Sequence, residues 1–316
     1  MARKSKGTKR KVKAELSPRD FRFPGESTVY WTAVSSIFIL FIWIIAMFIW
    51  MKPQVSGLPD WRYLYVLAWP TGSIFLANFL SARPRQAQLK QAGRSARVMS
   101  NTNPELFSAL LHQAQLLGMK KPPELYIIPD DAAYIFCIPG NPGAIVAGKP
   151  LQTALTQDQF MALVGREVGA LASHSVRVSL AITWLQNTNP LIKVLLFPLL
   201  LMSIFMRGWL DLVEMSSDRA AVLISSEATL NLALLKLAIA RDPQSDISQE
   251  DLEAFLHGST DISTDAKQLE RHFRIGSFIE NQPNLRERIE QIREFKTTAQ
   301  GKKALEKLAE LRQTAR

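Results

Sequence analysis

Residues 156–174 read TQDQFMALVGREVGALASH. Phe160, Leu163, Val164, Val168 and Leu171 recur at helical spacing, and Thr156 is placed to cap the N-terminus. The stretch is therefore expected to be a helix with one strongly apolar face. Three polar or charged residues interrupt it at positions that matter below: Arg166, Glu167 and His174.

The chain on either side sets this helix in an α+β frame. Ahead of it, residues 103–117 form a helix opened by Asn103-Pro104 and stopped by Gly118. Three strand-like runs follow, at 124–128, 133–138 and 144–147, with turn residues 139–143 between the last two. Behind it, residues 176–185 are apolar but too short to span a bilayer alone. The greasy run 191–210 holds Lys193 and Pro198 and is expected to lie in the interface or pack inside the domain. A helix then begins at Glu214, placing Glu214 and Asp218 one turn apart on one face. Further helices are expected at 226–240, 267–272 and 285–295, with a polar, loop-rich stretch at 244–265. An amphipathic surface helix over 302–312 puts Leu305, Leu308 and Leu311 on one side.

The N-terminal quarter has a different character. Residues 1–27 are dense in Lys and Arg and are expected to be a disordered basic tail, able to touch anionic lipid at roughly 1 kcal/mol per basic residue. Residues 28–51 are uncharged and rich in Ile, Phe, Trp and Val, longer than the roughly 20 residues that span hydrocarbon. A second apolar run, 61–80, is broken by Pro70 and Gly72. Together they predict a transmembrane hairpin over 28–82. Basic residues flank it on both outer sides, which places the N-terminus and the domain 83–316 in the cytoplasm.

Composition agrees with a membrane-associated chain. Its 316 residues carry a net charge of +10 while 47% are hydrophobic. The single cysteine excludes an internal disulfide framework, and four histidines, at 112, 174, 257 and 272, make a His-rich metal site hard to assemble. Basic residues without interleaved aromatics or a recognisable module give no expectation of nucleic-acid binding.

The helix 156–174 also invites comparison with a metal-binding pattern. His-Glu-x-x-His on a helix sets two imidazoles one turn apart, with the Glu between them to activate a metal-bound water. Here that frame reads Arg166-Glu167-Val168-Gly169-Ala170. With Leu155-Thr156 at the helix start, Glu214-Met-Ser-Ser-Asp218-Arg219, and Pro283 followed by Arg288-Ile289, the chain resembles membrane-anchored zinc metallopeptidases of the HtpX and CAAX prenyl-protease type. The resemblance covers roughly residues 104–295 and implies a zincin-like domain with an apolar insertion over about 176–210. It places the two zinc imidazoles at Arg166 and Ala170, the general base at Glu167 and the third ligand at Glu214, with Asp218 as the residue that orients the first imidazole.

The departures carry the functional expectation. Both imidazoles are missing, so Glu167 is a vestigial base, Glu214 a vestigial ligand, and no cofactor is expected. A site relocated to His174 would need groups about 10 Å apart along a helix, too far for one ion. Acids left without a dication need a partner, and Arg166 offers one, so an Arg166–Glu214–Asp218 ionic cluster is expected in place of the metal. The leading reading is an inactive peptidase homologue that binds a polypeptide or a membrane partner. The alternatives are an active metalloendopeptidase with altered ligands, which would require zinc, and a lipid-associated scaffold.

Overall fold

The computed structural model describes residues 16–51, 72, 96–186, 189, 203–241 and 285–314. The expected span 61–80, the loop-rich 244–265, the helix 267–272 and Pro283 lie outside the described residues, apart from Gly72. Within them the chain is α+β and mostly helical, with one small sheet and one long apolar helix near the N-terminus.

Three strands make the sheet, in the order β1 (Glu124–Ile128), β3 (Ala144–Gly148), β2 (Ile135–Ile138). β1 runs parallel to β3, pairing Leu125 with Ile145, and β2 runs antiparallel to it, pairing Cys137 with Ile145. Alternation then sends Leu125, Ile135, Cys137, Ile145 and Ala147 to the main core. Tyr126, Ile128, Tyr134, Phe136 and Val146 gather on the opposite face. The outer edge of β1 is closed by Val98, whose N–H donates to Leu125 at 2.8 Å.

On the core face lie α1 (Pro18–Phe21), α3 (Pro104–Leu116), α4 (Lys149–Ala154), α5 (Gln157–Ala172), α7 (Arg207–Ile224), α8 (Glu227–Arg241), α9 (Leu285–Thr297) and α10 (Ala299–Thr314). The central element is α5, in which every residue from Gln159 to Gly169 is buried. Its start is a capping box: Gln159 N–H donates to Thr156 Oγ1 at 3.3 Å, and Thr156 N–H donates to Gln159 Oε1 at 3.1 Å. Its end comes earlier than the periodicity suggests. The helix stops at Ala172, and His174 follows with φ of 59°, in the left-handed region.

α5 and α7 pack closely because glycines let them. A Cβ on Gly165 would lie 2.5 Å from Ile224 Cδ1, and one on Gly169 would lie 2.4 Å from Ala220 Cβ. These glycines are one turn apart and form a shallow groove against which α7 rests.

The apolar N-terminal helix, α2 (Glu26–Met51), leaves this core. Its stretch Glu26–Trp43 has mean hydropathy 1.3 and is long and apolar enough to cross a membrane. Ala33 of α2 packs with Ile182 of α6 (Val176–Gln186) and with Met206, Trp209, Leu210 and Val213, joined by Val29, Tyr30 and Val178. The described end of the greasy run, residues 203–210, thus rests on α2, while Ile204 and Phe205 stay exposed. Tyr30 and Trp209 rings meet at 5.3 Å near the foot of α2, where aromatic rings suit a membrane–water boundary.

Two expectations need correction. The helix carrying Glu214 starts seven residues earlier, at Arg207, because the apolar residues before it continue one amphipathic face. The basic tail does not extend to residue 27. Leu16 and Phe21 are 1% and 0% exposed and belong to the main core, so residues 16–25 fold against the domain before α2 begins. Isolated apolar residues in a charged stretch give no periodic signal, and the reading overlooked them.

Candidate functional site

Helix α5 presents Arg166 and Glu167, α7 presents Glu214 and Asp218, and α9 adds Arg288. Arg166 Nε donates to Asp218 Oδ1 at 3.0 Å and Nη1 donates to Glu167 Oε1 at 2.8 Å, while Nη2 ion-pairs with Glu214 Oε2. One guanidinium therefore touches all three acids that the sequence singled out. Its planar fork makes that possible, because Nε, Nη1 and Nη2 point to separate acceptors at once.

Asp218 is the hub. Its side chain is 2% exposed and accepts two further bonds from Arg288, Nε to Oδ2 and Nη2 to Oδ1, each at 2.7 Å. Two guanidiniums thus flank one carboxylate, with two bonds to Oδ1 and one to Oδ2 of Asp218. Burial of these charges is tolerable only because each has hydrogen-bonded partners of opposite sign. Glu214 is the exception in exposure, with 30% of its side chain open, so the cluster reaches solvent on that side.

The sequence reading named Arg166, Glu167, Glu214 and Asp218, and the fold brings all four together. It did not name Arg288 as a site residue, although the late segment it quoted contained it. Asp218 and Arg288 are 70 positions apart, and only the packing of α9 on α7 joins them. Ala170 is half-buried and offers no donor. His174 is exposed and lies beyond the end of α5, so it does not share the helical face of Glu167.

The residues at the place of the implied metal do not fit zinc. Catalytic zinc takes three protein ligands and an open position for water. Here the two imidazole positions hold a guanidinium and a methyl group. Glu167 Oε1 and both oxygens of Asp218 are engaged by N–H donors. Among the described residues, no three His, Cys, Asp or Glu side chains converge as a metal-binding group.

On the far face of the sheet lies a cavity of about 780 Å³ bordered by Arg97, Asn103, Asp130, Tyr134, Phe136 and Lys149. It shares no residue with the cluster. Burial, with Asp130 beside it, pushes the Tyr134 hydroxyl above its usual range.

No protein-family model, no curated protein and no solved structure matches the chain.

Proposed function

We propose that this chain is a membrane-anchored, catalytically inactive homologue of the HtpX and CAAX type of zinc metallopeptidase, and that it acts by binding a polypeptide or membrane partner. One observation carries the proposal: Arg166, at the position that the resemblance gives to the first zinc imidazole, hydrogen-bonds Glu167 and Asp218 and ion-pairs with Glu214. A general base works by accepting a proton from a polarised water. Glu167 faces a fixed cation that carries no such water, so its charge is spent on Arg166 instead. The cluster keeps the two helices in register without hydrolysing anything.

The apolar helix α2 supports an integral membrane protein, and the basic flanks favour a cytoplasmic N-terminus and domain. A zincin-like arrangement of sheet and helices supplies the surface for a partner. Anionic lipid is the natural contact of the basic N-terminal residues.

Metal analysis of the purified full chain, paired with a proteolysis assay, tests this reading. The wild-type protein should hold less than stoichiometric zinc and cleave no unfolded substrate. Restoring both imidazoles with Arg166→His and Ala170→His should create a zinc site that is lost again on adding Glu214→Ala. Stoichiometric zinc in the wild type, with proteolysis abolished by Glu167→Gln, would overturn the proposal.

A further inference from the structure

We propose that residues 16–26 are a latch that makes the first turn of α2 and the charged cluster one mechanical unit, with α7 as the shared element. This inference rests on packing geometry and not on the peptidase reading, so zinc analysis leaves it untouched.

The latch is held at several points. Leu16 and Phe21 sit in the main core, 1% and 0% exposed. Lys307 of α10 ion-pairs with Asp20 at 2.7 Å. Gln300 Nε2 donates to the carbonyls of Arg19 at 3.0 Å and Arg22 at 2.9 Å. The chain then meets α7 directly. Phe23 N–H donates to Ser216 Oγ at 2.8 Å, and the Ser216 hydroxyl donates to Glu26, the first residue of α2, which is 3% exposed. Arg219 of α7 stacks its guanidinium on Phe23 at 4.1 Å and on Phe295 at 4.8 Å. Burial pulls the Arg219 pKa down to about 10, which leaves it charged at neutral pH.

The residues gripped by the latch and those gripped by the cluster alternate along one short piece of α7. Glu214 and Asp218 face one way. Ser216 and Arg219, at about 100° per residue, face the roughly opposite way. The helix is thus clamped between the latch on one side and Arg166 and Arg288 on the other. A packed helix shifts as a body rather than bending between such contacts. A displacement of the first turn of α2 relative to the domain therefore bears on Ser216 and, through the same piece of α7, on Asp218.

α2 has a surface on which such a displacement can act. Trp31, Phe38 and Ile42 are 64%, 67% and 53% exposed and share one side of the helix, a face open to lipid or to another helix. Within the latch, just before α2, lies Gly25, with φ of 84° and nothing within 4 Å of where a Cβ would stand. A side chain there strains the backbone without touching a neighbour.

Hydrogen–deuterium exchange on the full chain in lipid nanodiscs tests the latch. Ser216→Ala, Phe23→Ala and Gly25→Ala should each speed exchange in residues 16–26. They should also speed it about fivefold or more in the α5 peptide 160–171, which stops short of Ser173, the α5 cap whose carbonyl accepts a bond from Arg22 Nη2 at 3.4 Å. The α3 peptide 104–116 serves as the unaffected reference. If Phe23→Ala does not fold, the other two variants carry the test. Faster exchange confined to residues 16–27 and α10, or no change in α5 in any variant, would overturn the proposal.

Discussion

The two faces of α7 are held by opposite kinds of chemistry. On the cluster side, Arg166 and Arg288 meet Glu167, Glu214 and Asp218 through charge-assisted bonds among side chains that are mostly buried. On the latch side, a hydroxyl, backbone groups and two aromatic rings do the work. The ionic face fixes register sharply, because a carboxylate moved away from its guanidinium is left buried and unpaired. The aromatic face is more forgiving, since stacking and backbone bonds tolerate small shifts. The difference identifies the cluster as the stiff end of the assembly and the latch as the end through which movement enters.

The largest effect should come from breaking the stiff end. Arg166→Ala leaves Glu167 and part of Glu214 without a cation and should cost about 3–5 kcal/mol of unfolding free energy, toward the lower figure because Arg288 still holds Asp218. Arg166→Lys keeps the charge but not the fork and should cost less. Denaturant unfolding in detergent, followed by pulse proteolysis, measures both. Coupling between two sites is reciprocal. Arg166→Ala should therefore also speed exchange in residues 16–26, and an unchanged latch in that variant would separate the two faces.

An intermediate effect belongs to the groove that allows the faces to coexist. Gly169→Ala puts a methyl group where Ala220 already stands and should cost about 1–3 kcal/mol through overpacking. The same methyl forces α5 and α7 apart at the level of Arg166, so the Arg166→Ala penalty should shrink in a Gly169→Ala background. A double-mutant cycle reads that difference, and strict additivity of the two substitutions would argue against contact between groove and cluster.

These residues also show what a sequence can and cannot disclose. α5 was legible because its cap and apolar period are local, and the cluster on it because acids in an apolar neighbourhood demand a cation. The three strands were legible from β-branched and aromatic runs between turn residues. The role of Arg288 was not, because its meaning depends on α9 packing against a helix 70 positions earlier. Nor was the Gly165–Gly169 groove, since a glycine's usefulness lies in what approaches it. The latch was hidden for a related reason: Leu16 and Phe21 anchor a stretch whose charge suggested disorder. His174 misled through simple extrapolation of helical geometry past the residue at which the helix stops.

The smallest effect concerns the outermost bond of the latch and has a defined pH sign. Burial alone would raise the Asp20 carboxyl, but hydrogen bonds from Lys307 and Ser17 outweigh it and hold the group below its usual value of 3.8. A depressed carboxyl contributes stability that is present above its unfolded pKa and is lost as pH falls through the folded one. Water screens this partly exposed pair, so its contribution should be about 1 kcal/mol or less. The difference in Tm between the wild type and Asp20→Asn should hold constant from pH 7 to about 5 and close as pH falls below about 4. A gap that persists under acid would mean that Asp20 acts by shape within the Ser17 capping turn and not by charge. The latch would then be fastened to α10 by Gln300 and the buried Phe21 ring rather than by the charge of Asp20.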